Sequence, residues 1–183
     1  APMIQPAIRR LEAPTGPVIG TLARLTFAAT LAGYYWASAL TKIDGGSISI
    51  NGYAQIFPKA MEAVNYDASQ LSAFHTLVVA AGTAAEFVLP ALLIVGLLTR
   101  LAALGMIGFV AVQTLTDLFG HGALSQPETL GALFDRVPDS LILDQRLLWI
   151  TLFATLIFPG PGPLSLDRLL SRWRGQSQTA LAA

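Results

Sequence analysis

The chain has no cysteine, which excludes disulfides, thiolate metal sites and dithiol relays whatever compartment its loops face. It has only two histidines, His75 and His121, and no repeated acid or histidine spacing, so no metal site of its own is expected. A bound metal would need ligands from a partner chain. Charge is also scarce: 12% of the 183 residues are Asp, Glu, Lys or Arg, and eleven basic residues balance eleven acidic ones. That balance leaves no net field to attract nucleic acid, which is not expected as a partner. Apolar residues are abundant instead, at 54% of the chain with a mean hydropathy of +0.60, a mixture that water-soluble domains rarely show. The expected solvent is a lipid bilayer.

A helix needs roughly 20 apolar residues to cross a hydrocarbon core about 30 Å thick. Four stretches are predicted to do so. The first, 19–40, ends in Tyr34, Tyr35 and Trp36. It is too long for the apolar part of a secretory signal and is read as an uncleaved span. The second, 74–98, contains Glu86 and Pro90, and the third, 101–119, follows after only Thr99 and Arg100, which demands an antiparallel hairpin. The fourth, 141–158, carries Asp144 and Arg146 near its start.

Loops 43–70 and 120–140 share one face and are rich in acid, with Lys59 and Arg136 as their basic members. Arg9, Arg10, Arg100, Arg168, Arg172 and Arg174 lie on the other. The positive-inside rule therefore predicts N-in and C-in topology in the cell (inner) membrane, with Lys42 and Arg146 counting against it. The expected fold is all-α: a single domain, 1–183, forming an integral membrane four-helix bundle with a short amphipathic C-terminal helix.

Within the loops, residues 53–64 read as a short interfacial helix with Phe57, Met61 and Val64 on one side. In the tail, 164–175, Leu166, Leu169, Leu170 and Trp173 share a helical face, which suits an anionic leaflet. PGPGP before it is a clean stop, because proline removes donors and glycine tolerates tight turns. A glycine-rich phosphate cradle is the rival reading, but the lysine and strand context are missing. Ser165 is placed to cap the tail helix, with Asp167 near its positive end.

Two stretches, EFVLPALLIVGLLTRLAAL from Glu86 to Leu104 and FPGPGPLSLDRLL from Phe158 to Leu170, resemble the DoxX-like family of small four-helix membrane proteins. The first span, with Arg24 and Leu25, resembles it more loosely. The resemblance implies a place among subunits of quinone-linked oxidases and thiosulfate oxidoreductases.

Glu86 is the most informative residue, because a carboxylate deep in a span is costly without a partner or water. At about 1.5 Å rise per residue it lies roughly 18 Å from the cytoplasmic end of its span, and Gln113 and Tyr34 fall at about that level. Three readings of this layer compete. It fixes helix register through interhelical polar contacts; it holds a quinone-like headgroup, with Tyr34 and Gln113 donating hydrogen bonds and Glu86 exchanging a proton; or it is a path for a proton or small solute. Arg24, about two turns nearer the cytoplasm, either reaches inward to Glu86 or snorkels towards water. The histidines are expected at the outer interface, either hydrogen-bonded locally or sharing a site, with Asp117 placed to orient His121.

No intrinsic cofactor is expected, and quinone is the candidate ligand. The leading functional expectation is an accessory or scaffold subunit of a membrane-bound, quinone-linked redox complex. Its partners are other membrane protein subunits, met through small residues such as Ala28, Ala29, Ala32, Gly33, Gly105 and Gly108 and through the outer loops. One alternative is a quinone-binding oxidoreductase subunit acting on a small inorganic donor, and another is a small-solute transporter.

Overall fold

The computed structural model describes residues 16–181, with side chains described for 18–173. Arg9, Arg10 and Arg174, which contributed to the topology expectation, lie outside the described side chains. The described chain is mostly helical, and its long elements form four rods. The first rod is α1 (Gly16–Thr30) followed by α2 (Ala32–Thr41), interrupted at Leu31, where φ of −115° departs from helical geometry. The second and third are α5 (Ala73–Val95) and α6 (Thr99–Leu115), the latter prolonged by a π turn, Thr116–Gly120. The fourth opens with another π turn, Leu141–Gln145, and continues as α8 (Arg146–Ile157).

The rods pack in a ring, with rod one against α5 and α8, α5 against α6, and α6 against α8. Its core is Phe27, Tyr35, Leu93, Met106, Val110, Phe153 and Leu156, all buried, with Phe27 and Phe153 ring centroids 5.7 Å apart. At one end sits a cap made of a two-stranded hairpin, β1 (Ile43–Asp44) with β2 (Ser47–Ile48), then α3 (Ile50–Ile56) and α4 (Pro58–Ala63). The expected single helix over 53–64 is two short ones. Pro58 lacks the N–H that would continue α3, and the chain breaks at Phe57, where φ is −126° and ψ 59°. Met61, Tyr53 and Val79 are buried together beneath this cap. The one-turn α7 (Pro127–Leu130) lies in the later loop at this end.

Two helices are long and apolar enough to cross a membrane, Ala73–Val95 and Thr99–Gly120, with window hydropathies of 2.1 and 1.6. Only 28% and 22% of those windows are buried, whereas the central helix of a soluble protein is mostly covered. Phe74, Leu77, Leu101 and Leu148 are each more than 60% exposed, an outer surface suited to lipid rather than water. Val18–Thr30 is apolar but shorter, because the break at Leu31 divides the first rod.

The opposite end from the cap is tied by the Phe158–Leu170 motif. Helix α5 ends at Gly96 with φ of +70°, and Leu98 follows at φ +49°, a left-handed conformation unfavourable for a branched side chain. Asp167 supports that turn: its two carboxylate oxygens accept from the Leu98 and Thr99 N–H groups at 2.8 and 2.9 Å, and its own N–H donates to Gly96 O at 2.9 Å. Ser165 Oγ accepts from the Arg168 N–H and so caps the amphipathic helix α9 (Leu166–Leu181). Gly20 lets the PGPGP segment lie directly on α1, since a Cβ there would stand 2.0 Å from Gly160 O.

Candidate functional site

A cavity of about 530 Å³ lies under the cap, between rod one, α5, α6 and the start of rod four. Tyr34, Glu86 and Gln113, which fall at similar depth, all line it. The Gln113 amide and the Tyr34 hydroxyl are hydrogen-bonded at 2.8 Å. Gln113 Oε1 is buried without a partner, and turning the amide over would only transfer that deficit to its nitrogen.

Glu86 does find a partner, and it is Lys42 rather than Arg24. Lys42 Nζ lies 2.8 Å from Glu86 Oε2 and 3.0 Å from Oε1, and Ser38 Oγ donates to Oε1 at 3.0 Å. Both charged side chains are about 95% buried. Lys42 follows the last turn of α2, and its four-carbon stem lets the ammonium reach inward to the carboxylate.

Arg24 sits near the other end of the fold. Its guanidinium donates to the carbonyls of Leu93 (2.8 Å) and Ile94, where α5 runs out of helical donors, and to those of Pro161 (3.2 Å) and Leu164. The carbonyls at the end of α5 and in the PGPGP segment are within its reach. Of the two alternatives for Arg24, the inward contact with Glu86 is not made, and its guanidinium serves backbone carbonyls instead.

A second ion pair lines the same cavity. Arg146, 98% buried, pairs through Nη2 with Asp117 and donates from Nη1 to Thr114 Oγ1 at 3.0 Å, while its Nε has no partner. The π turn Thr116–Gly120 carries Asp117, which serves Arg146 rather than His121. His121 Nε2 instead contacts Gln55 O at 2.9 Å, bracing α3 over the cavity, and His75 contacts Ser72 and packs edge-on against Phe57. Among the described residues no three His, Asp or Glu side chains gather where they could hold a metal ion.

Between these polar groups the walls are apolar or small: Val78, Gly82, Ala85 and Leu89 on α5 face Gly105, Gly108 and Val112 on α6. Ala81, Gly108 and Val112 are exposed as well as cavity-lining, so the chamber opens sideways between α5 and α6. A Cβ at Gly108 would meet nothing within 4 Å. The site thus joins a hydrogen-bonding interior to an apolar opening on the flank where a bilayer would lie.

Sequence reasoning missed Lys42, Ser38, Arg146 and Thr114 as parts of this site. A usable signal was present, since Lys42 and Arg146 were the two basic residues at span ends that counted against the charge asymmetry. Unexplained positive charge at a span end points to burial in an ion pair.

The DoxX family model matches residues 21–121, more than half of the chain, from α1 through the hairpin to His121. The match includes Glu86–Leu104 and stops before Phe158–Leu170. No curated protein and no solved structure matches. With its two long, largely uncovered apolar helices, the chain is a membrane protein that belongs to the DoxX family.

Proposed function

We propose that this protein is a subunit of a quinone-linked membrane redox assembly, and that the chamber beneath its cap binds the quinone headgroup. The observation that carries the reading is the pair of buried, unpartnered polar groups, Gln113 Oε1 and Arg146 Nε, on residues lining a chamber with an apolar lateral opening. Leaving such groups unsatisfied costs about 1–3 kcal/mol each, a cost that a suitable ligand removes. A ring bearing oxygen at its edge fits these two groups: Arg146 Nε is a donor for a carbonyl, and Gln113 Oε1 is an acceptor for a hydroxyl.

Bound there, a quinone would supply two-electron, two-proton carrier chemistry. The chain's own residues do the rest. Tyr34 and Gln113 orient the ring edge, Lys42 holds Glu86 in place, and Asp117 fixes the Arg146 fork. The apolar walls keep bulk water away. Ala81, Gly108 and Val112 leave room for an apolar tail to run out into lipid.

The same reading takes all four rods as spans of one domain, with the cap outside and both termini in the cytoplasm. Lys42 and Arg146 still count against that topology, although each is tied to a carboxylate within the fold, Glu86 and Asp117. Arg100, Arg168 and Arg172, exposed at the opposite end, retain their free charge. Electrons would come from a partner subunit, and Ala29 and Gly33, exposed on rod one, permit close helix approach.

The test is quinone binding by protein purified in mild detergent and reconstituted into nanodiscs. Gln113→Leu and Tyr34→Phe should weaken binding while leaving the fold intact. Unchanged binding in both variants would remove the chamber from consideration.

A further inference from the structure

A second hollow, about 500 Å³, lies at the end opposite the cap, between the α5–α6 turn, the PGPGP segment and the first turns of α9. Two guanidinium groups line it, Arg100 on α6 and Arg168 on α9. Both residues are exposed, and among the described residues neither side chain has a carboxylate or hydrogen-bond partner. The carboxylate in the hollow, Asp167, has both oxygens committed to the Leu98 and Thr99 N–H groups. Two positive charges against one leave the hollow one charge short of neutral, which one phosphodiester would supply.

The surroundings select the form in which that phosphate arrives. Leu98 and Leu101 line the hollow and are 54% and 65% exposed, and Leu104, one turn further along α6, is 59% exposed. These residues continue the apolar flank of α6 directly from the two arginines. On α9, Leu166, Leu169 and Trp173 are exposed on a helix otherwise rich in arginine, as expected for an element lying at a bilayer surface.

We propose that this hollow is a binding site for one anionic phospholipid. Arg100 and Arg168 clamp its phosphate, and an acyl chain runs along Leu101 and Leu104. Arginine suits the task because its planar fork can give paired hydrogen bonds to phosphate oxygens. The site is separate from the chamber under the cap and does not depend on what that chamber binds.

The experiment is native mass spectrometry of delipidated full-length protein titrated with phosphatidylglycerol, with phosphatidylcholine as the zwitterionic comparison. One phosphatidylglycerol should be retained selectively. Arg100→Gln and Arg168→Gln should each weaken retention about tenfold, the loss expected for a charge-assisted contact. Arg172→Gln is the internal comparison, since Arg172 carries the same charge on the same helix outside the hollow. It should change retention less than either, by about fivefold at most. Equal losses in all three variants would overturn the proposal in favour of diffuse attraction to the leaflet. Displacement of the lipid by millimolar inorganic phosphate would overturn it in favour of a free-anion site. Unchanged thermal midpoints in the three variants would confirm that lost retention is not lost folding.

Discussion

Neutralising one member of the Lys42–Glu86 pair should damage the protein more than removing both. In Glu86→Gln the Lys42 ammonium stays 95% buried without its carboxylate, and in Lys42→Met the carboxylate is left with only the Ser38 hydroxyl from rod one. Breaking a buried pair from one side costs about 3–5 kcal/mol. The lower end applies here, because the pair borders a chamber that opens sideways. For a domain of this size each kcal/mol moves the thermal midpoint by about 2–4 °C, so each single variant should fall by about 6–12 °C. In the double variant Lys42→Leu, Glu86→Leu, no uncompensated charge remains, and apolar replacement of a buried pair is often neutral or better. Its midpoint should lie above that of either single variant. The assay is fluorescence-detected thermal unfolding in one mild detergent at fixed protein concentration. A double variant falling by the sum of the singles would refute the claim that these side chains act as a pair.

Three further outcomes follow from the other end of the fold and from the cap. Arg24→Lys loses the fork that serves four carbonyls on two segments and should destabilise by about 2–3 kcal/mol in the same thermal assay. Asp167→Ala removes the acceptor from Leu98 and Thr99 and should cost about 1–2 kcal/mol, with faster amide exchange confined to the α5–α6 turn. Asp67 lies in the exposed loop before α5, where hydrogen bonds from the Ser69 side chain, the Gln70 side chain and the Ser69 backbone hold its carboxyl below the ordinary value. Its contribution to the turn at 68–70 is therefore present above the usual carboxylate range and is lost as pH falls through the lowered value. Amide protection at 68–71, measured against the intrinsic exchange rate at each pH, should fall on acidification below about pH 4 and should already be low at neutral pH in Asp67→Ala.

Much of the fold was legible because lipid imposes a simple rule on sequence. A long apolar run between polar loops has few alternatives to a helix. The predicted stretches 74–98 and 101–119 overlie α5 and α6 with its π turn, and the short Thr99–Arg100 link forced the hairpin. The ends were less legible. Gly96 stops α5 three residues before the hydrophobic run ends, because a left-handed cap can be apolar on both sides. Pro58 divided the cap helix, and the β1–β2 hairpin was not foreseen.

Within the chamber, Glu86 stood out as a carboxylate in an apolar span, and rise per residue placed Gln113 and Tyr34 at its level. Direction was not legible. Which of Lys42 and Arg24 reaches Glu86 depends on side-chain extension and on competing carbonyls, and those carbonyls come from Leu93, Ile94, Pro161 and Leu164, in two distant parts of the chain. The double duty of Asp167 escaped for the same reason. Its place at the start of α9 was visible in sequence, whereas its contact with Leu98 and Thr99 exists only once the chain is folded.

The central claim is that the chamber under the cap takes a quinone headgroup, and the most direct measurement is quinone retained per chain after reconstitution into nanodiscs with added long-tailed quinone. The account predicts stoichiometric retention by the parent protein. It also predicts loss in the double variant Tyr34→Phe, Gln113→Leu, whose thermal midpoint without quinone should match the parent. Equal retention by parent and variant, or none by a folded parent, would contradict it.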